Sequence, residues 1–255
     1  MELNAVLFEV NGTMAESEDF HRLAFNESFK EFGLNWFWDE AIYKELTFVE
    51  GGKERIKYYM ERAWPEMLKY KNLSSYIQSI HDSKSQIFED YLQTEKISMR
   101  PGIYRLICEL KNKNIRLALV SSTSEKSLLN LFRRGFDMEP TDWFEVIGHG
   151  ECTPHKKPSS DIYLWTLSQL KLPSQSCLAI ESSPRGYESA IGANINVIVT
   201  PSQYSIKERF ENALTVISDL GEPDKPFKIL DQSKIESTYV NYQFLKKLHN
   251  SNVEE

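Results

Sequence analysis

Cysteine is scarce in this chain of 255 residues: there are three, Cys108, Cys152 and Cys177. The number is odd and no pair has Cys-x-x-Cys spacing, which argues against a disulfide framework and a structural zinc site and points to a reducing compartment. Long apolar runs are missing too. No stretch approaches the ~18 residues a membrane helix needs, and the N-terminus runs straight into a short apolar segment at Ala5, so neither a membrane span nor a signal peptide is expected. A basic excess is the third absence. Thirty Lys and Arg stand against 37 Asp and Glu, a net charge of −7, and phosphate backbones select basic surfaces, so nucleic acid is not the expected partner. His21, His81, His149, His155 and His249 lack metal-ligand spacing and read as surface or packing residues. The expectation is a soluble, cytoplasmic protein with chain enough for one large domain or two unequal ones.

What is present begins at residues 5–13, AVLFEVNGT. Ala5 to Phe8 are apolar, long enough for a buried strand and too short for a helix. The strand runs into Glu9, Asn11 and a Gly12-Thr13 turn, and in open α/β sheets ligands bind just beyond the carboxyl ends of the strands. Asn-Gly between apolar residues is also a hairpin signal. The apolar residues that follow recur at helical spacing, which favours the strand-to-helix reading.

From residue 16 to about residue 95 the pattern is helical throughout. Phe20, Leu23, Ala24, Phe29 and Phe32 make one stripe that Gly33 ends. Further helices are expected over 39–46, 53–64 and 73–92. After Pro101-Gly102 the style changes to alternating helix and strand: helix to about 113, strand 115–120, helix 124–134, strand 143–147, helix 160–170, strand 177–180, helix 185–193, strands 197–199 and 216–217. Such alternation means an α/β fold with a doubly wound parallel sheet. Residues 221–226 (GEPDKP) read as a linker and 235–248 as a final helix, with Tyr239, Tyr242, Leu245 and Leu248 as its packing face. The expected domains are therefore an α/β core from 1–15 and 96–220, a helical insertion at 16–95, and a C-terminal linker and helix, 221–255, packed on the core.

Four segments together resemble the haloacid dehalogenase superfamily, in its CbbY-like branch of sugar-phosphate phosphatases. Residues 5–13 resemble the nucleophile loop, with Glu9 at the nucleophile position and Asn11 at the acid/base position, where the family has aspartates. Ser121-Ser122-Thr123, after the second strand, resembles the motif whose hydroxyl binds phosphate; ordinary helix capping would explain it equally well. Lys157, in Lys-Lys-Pro-Ser-Ser-Asp-Ile-Tyr, matches the lysine that neutralises the phosphoryl oxygens. Glu181-Ser182-Ser183 resembles the Glu-Asp-Ser metal motif, with Ser182 in place of the aspartate. Gly51, Gly52, Lys53 and Arg55 resemble the substrate loop of a helical cap, whose first helix Glu16, His21, Ala24, Phe25 and Asn26 also match; without that likeness Lys53 and Arg55 read as a solvated helix start.

The resemblance implies a HAD-like Rossmannoid core with an inserted cap. Glu9, Asn11 and Lys157 would be the catalytic set, Thr13, Gly51, Gly52, Lys53, Arg55, Ser121 and Ser122 would contact substrate, and Glu9, Asn11, Glu181 and Ser182 would face Mg2+. The implied partner is a small phosphorylated metabolite or phosphate; the oligomeric state is left open. Three departures weaken the chemistry. Glu9 adds a methylene, and a misplacement of about 1 Å can cost roughly 100-fold. Asn11 cannot carry a proton at neutral pH, and lost acid–base assistance costs about 10²–10⁴-fold. Ser182 replaces a carboxylate with a neutral hydroxyl, a poor magnesium ligand, so Mg2+ is expected to bind weakly or not at all. The reading is an impaired phosphatase relative that keeps an anion pocket. The alternatives are a working sugar-phosphate phosphatase that tolerates Glu9, and a non-catalytic scaffold with a vestigial pocket.

Overall fold

The most continuously apolar stretches of the sequence become the centre of one sheet. In the computed structural model, which describes residues 2–94 and 97–251, β1 (Ala5–Phe8) is buried at every position. It pairs in parallel with β2 (Arg116–Val120) on one side and β4 (Cys177–Glu181) on the other. β3 (Val146–Gly148) extends the sheet beyond β2, and β5 (Asn196–Val199) and β6 (Thr215–Val216) extend it beyond β4, giving the order β3-β2-β1-β4-β5-β6. Strands covered on both faces need no polar alternation, which is why their sequences are unbroken apolar runs. The chain leaves β1 for one side of the sheet and later returns to its other side. That reversal beside β1 is the switch point at which parallel sheets open a crevice at their carboxyl ends.

The register sets the crevice. Phe8 is level with Leu119 on β2 and with Ile180 on β4, so the residues just beyond these three positions emerge side by side. The helices between the strands are α5 (Ile103–Asn112), α6 (Glu125–Asn130), α7 (Asp161–Leu170) and α8 (Pro184–Gly192). α5 shows the rule most plainly: Ile103, Leu106, Ile107 and Leu110 share one face and are all buried. Ala5, Leu7, Ala179, Val197, Tyr163 and Tyr187 belong to one continuous core cluster.

The chain divides into two compact units, Met1–Glu16 with Ile97–Glu255, and Ser17–Lys96. The expected boundary at 95–96 lies outside the described residues, as do Met1 and 252–255. Glu16, read from the sequence as the first residue of the insertion, belongs to the sheet-bearing unit. The second unit is helical: α1 (Glu18–Glu31), α2 (Glu40–Leu46), α3 (Gly52–Ala63) and α4 (Leu73–Thr94). Its core is aromatic, with the rings of Phe25, Phe29, Trp38 and Tyr43 packed at stacked, tilted and edge-on angles, their centroids within 6.4 Å.

Two sequence expectations need correction. Leu23, placed on the apolar stripe of α1, is exposed, and the buried face also carries His21, Asn26 and Ser28. Asn26 explains part of this: its amide bonds both the nitrogen and the carbonyl of Trp38, at 2.8 and 2.9 Å, a polar pair that tolerates burial because it is satisfied. The final helix, α9, spans Tyr242–Ser251 rather than 235–248. Residues before it bond other backbone instead, Thr238 accepting from Phe227 and Val240 donating to Leu220. Asn241 then opens the helix by accepting from the Phe244 nitrogen at 2.8 Å, and Phe244, Leu245 and His249 form the buried face.

Candidate active site

Glu9 leaves β1 with its backbone nitrogen still donating to Ile180 of β4, at 3.0 Å. Its side chain then turns back over its own loop. Oε1 accepts from the Val10 nitrogen at 2.9 Å, the Asn11 nitrogen at 3.3 Å and the Ser121 hydroxyl at 3.0 Å. Oε2 is ion-paired with the Lys157 ammonium. The loop can turn so tightly because Gly12 has φ +81°, where an L side chain is strained, and a Cβ there would also sit 2.8 Å from Ser182 Oγ.

Lys157 joins the three strand ends. Besides Glu9 it donates to Glu181 Oε1 at 2.7 Å and to the Val120 carbonyl at 3.1 Å, which uses all three ammonium protons. Burial works against its charge, but Glu181 and Glu9 outweigh that and raise its pKa. Glu181 is fully buried; burial pushes its carboxyl up, Lys157 opposes this and Glu9 adds to it, leaving it at about 7. Tyr163 completes the cluster by donating its hydroxyl to Glu181 Oε1 at 2.5 Å, and burial beside that carboxylate raises the phenol's own pKa. Gly186 is required here, because a Cβ at that position would lie 2.0 Å from Glu181 Oε2. Buried ion pairs gain little net stability over an apolar substitute, but breaking one leaves a stranded charge. This cluster is therefore costly to disturb.

Asn11 and Ser182 are committed to each other's neighbourhood. The Asn11 amide donates to Thr123 Oγ1 at 2.7 Å, and the Ser182 hydroxyl donates to the Asn11 carbonyl at 3.1 Å. Three oxygens that could face a cation are thus an amide's, a hydroxyl's and a carbonyl's that already accepts a hydrogen bond. Glu9 and Glu181 are the acids present, and both are ion-paired to Lys157. Among the described residues no group of three or more His, Cys, Asp or Glu side chains is arranged to hold a metal.

The cluster thus brings together Glu9, Asn11, Ser121, Lys157, Glu181 and Ser182. Thr13 and Ser122 lie on the same two loops, and their buried hydroxyls have no hydrogen-bond partner among the described residues. Gly51, Gly52, Lys53 and Arg55 belong to the helical unit and have their own partners there. Arg55 is buried, donating to the Val49 carbonyl and Tyr43 hydroxyl at 2.8 Å and to Glu18 at 3.3 Å. Lys53 donates to Gln78 at 3.1 Å, and a Cβ on Gly52 would lie 2.5 Å from His81 Nε2.

Sequence reasoning missed three contributors. Tyr163 stood in the Lys157 segment, one turn into the helix that follows, but only the fold shows its hydroxyl on Glu181. Thr123 was visible only as part of a Ser/Thr-rich turn. Arg100 carried no signal at all. Its guanidinium donates to the carbonyls of Gly12 and Ser218, and to those of Thr200 and Pro201 at 2.8 and 3.0 Å, tying the β1 loop to the ends of β5 and β6.

The parallel sheet thus gathers an acid from the end of its central strand, a hydroxyl from the end of the next and a lysine between two carboxylates into one α/β site. The sequence pattern of the haloacid dehalogenase-like hydrolases matches residues 6–200, and the chain belongs to that family. Within it the chain is similar to the protein CbbY of Cereibacter sphaeroides, 38% identical over 222 residues, 86% of this chain and 94% of the other. The CbbY-like protein of Arabidopsis thaliana is 31% identical over 86% of this chain and 70% of its own length. Crystal structures of CbbY from Rhodobacter sphaeroides, one in complex with phosphate and one of a variant with xylulose-(1,5)bisphosphate, superpose with a TM-score of 0.78 at 37% identity, covering 85% of this chain and 94% of that one.

Proposed function

We propose that this chain is a catalytically impaired CbbY-type protein that binds a small phosphorylated molecule and turns it over negligibly. The observation that carries this reading is the state of Glu9. A carboxylate that attacks phosphorus must aim an oxygen at a bound phosphoryl group, yet Glu9 Oε1 already accepts from two backbone nitrogens and a hydroxyl and Oε2 is ion-paired with the Lys157 ammonium, so attack would have to compete with those contacts. No side chain at position 11 can take or give a proton, because the amide of Asn11 is neutral and bonded to Thr123. Phosphoryl transfer depends on positioning and electrostatics, so losing both together is severe.

Magnesium is the cofactor implied by the family, and the donors here suit it poorly. It favours hard, preferably anionic oxygens in an octahedral array, whereas Asn11 and Ser182 offer a neutral amide and a neutral hydroxyl, and the Asn11 carbonyl already accepts from that hydroxyl. The chain is therefore read as holding Mg2+ weakly. The phosphorylated ligand is favoured by the retained Lys157 and Ser121, and by CbbY having been crystallised with phosphate and a sugar bisphosphate.

The test is phosphate release from a panel of sugar phosphates, with calorimetry of Mg2+ binding alongside. Negligible release is expected from the natural chain, with some activity and tighter Mg2+ binding in the triple variant Glu9→Asp, Asn11→Asp, Ser182→Asp. Single repairs should recover little, because groups that act as a unit are non-additive. Asn11 should be verified by mass first, since deamidation at Asn11-Gly12 would itself create an acid. Turnover by the verified natural protein would overturn the reading. A folded triple variant without activity would favour a scaffold role.

A further inference from the structure

We propose that Asn11-Gly12 is a modification site: a pair able to close to a succinimide, which Thr123 holds intact in the folded chain and whose deamidation puts a carboxylate at position 11. The modification goes beyond the binding of phosphorylated molecules and does not depend on it.

The chemistry needs these two residues and water. The Gly12 nitrogen loses its proton and bonds to Asn11 Cγ, and the Cγ–Nδ2 bond breaks to release ammonia. Water then opens the imide ring at either carbonyl, leaving an aspartyl or an isoaspartyl carboxylate. Glycine hinders the ring closure least of all following residues, because no Cβ stands beside the attacking nitrogen. Asn11 is half-buried rather than sealed, so water has access to it.

In the folded loop each group that has to move is tied down. Asn11 Nδ2 donates to Thr123 Oγ1 at 2.7 Å, which holds the reacting amide on the loop after β2. The Gly12 N–H, whose proton must leave, donates to the Ala15 carbonyl at 2.7 Å. The backbone around them is fixed as well. The Asn11 carbonyl accepts from Ser182 Oγ at 3.1 Å, the Asn11 nitrogen donates to Glu9 at 3.3 Å, and the Gly12 carbonyl accepts from Arg100. Gly12 is packed so closely that a Cβ would lie 2.8 Å from Ser182 Oγ, which leaves little room for the turn to re-form around a ring. Thr123 is the one side chain that grips the reacting amide itself, across 112 positions of sequence. Conversion adds one negative charge to a chain already at −7 and replaces an amide that donates to Thr123 with a carboxylate that only accepts.

The experiment incubates the natural chain, Thr123→Val, Thr123→Ser and Asp39→Ala at mildly alkaline pH, each checked for fold by circular dichroism. Peptide mass mapping follows position 11, with the natural chain unfolded in guanidinium as the unguarded reference. Thr123→Val should deamidate at Asn11 about 3–10-fold faster than the natural chain, the rate equivalent of one hydrogen bond. Thr123→Ser keeps the hydroxyl and should follow the natural rate. Asp39→Ala loosens the helical unit and should follow it too, which separates a local guard from lost stability. The unfolded chain should react fastest.

A folded Thr123→Val at the natural rate overturns the proposal, and so does a Thr123→Ser as fast as the valine variant. An Asp39→Ala that matches Thr123→Val overturns it as well. If Thr123→Val does not fold, the natural chain decides: equal rates folded and unfolded overturn the proposal, and a slower folded chain supports it. Mass reports the amide and not turnover, so phosphate release by the natural chain would overturn the impaired reading alone.

Discussion

Lys157 and Lys84 are both buried lysines, one in each unit, and they ionise in opposite directions. Lys157 lies between the carboxylates of Glu9 and Glu181, which hold it charged in spite of burial. Lys84 lies 2.8 Å from His21 Nδ1, with its ammonium 5.0 and 5.1 Å from the ring centres of Phe25 and Phe88. Burial lowers its pKa to about 7; Glu18 opposes this and Arg55 adds to it. Burial and the positive charges of Lys84 and Arg55 hold His21 well below its ordinary value. Burial penalises both lysines, and the partners decide the outcome. A buried lysine between two acids is part of an ion-paired site, and one beside an imidazole is a stored penalty.

The first way to break that contrast is Lys157→Met. It strands two buried carboxylates, and denaturant unfolding should show a loss of about 3–5 kcal/mol. A loss under 1 kcal/mol would mean the cluster is not held by Lys157 as described.

Lys84→Met should do the reverse at low pH. The unfolded lysine titrates near 10.5 and the folded one at about 7, so between those values the unfolded state binds more protons and stability rises with pH. The penalty is fully present below pH 7. Natural protein and Lys84→Met should therefore differ most near pH 6, with the variant more stable by about 1–3 kcal/mol after the lost His21 contact is counted. The difference should shrink, and can invert, by pH 10. Parallel pH curves would contradict the assignment.

A smaller effect compares the two units directly. Asp39 caps α2 by accepting from the Ile42 nitrogen at 2.8 Å, and Ser183 caps α8 by accepting from the Gly186 nitrogen at 3.1 Å. Replacing either with Ala should cost about 1 kcal/mol. Hydrogen exchange should place the loosening in the helical unit for Asp39→Ala and in the sheet-bearing unit for Ser183→Ala.

The sheet was legible because parallel strands are unbroken apolar runs, and Ala5–Phe8, Arg116–Val120 and Cys177–Glu181 have hardly any polar interruption. The residues at their ends could be named because strand ends are local in sequence. What each one touches could not, since the Glu9–Lys157 pair spans 148 positions and depends on register. Arg100 was invisible because its hydrogen bonds go to backbone carbonyls, which have no residue identity, and its acidic partner Glu16, 3.5 Å away, is remote in sequence. The start of α9 was misplaced because Tyr239, Tyr242, Leu245 and Leu248 repeat every three residues, close to but not the helical period, while the capping asparagine at 241 was there to be read.

The measurement that tests the account most directly is phosphate release from sugar phosphates by the natural chain, with Asn11 verified intact and millimolar Mg2+ present. The account predicts a rate indistinguishable from the protein-free blank, and measurable release by the variant with aspartate at positions 9, 11 and 182. Sustained turnover by the natural chain would contradict it, because Glu9 would then have to leave Lys157 and Ser121 to attack.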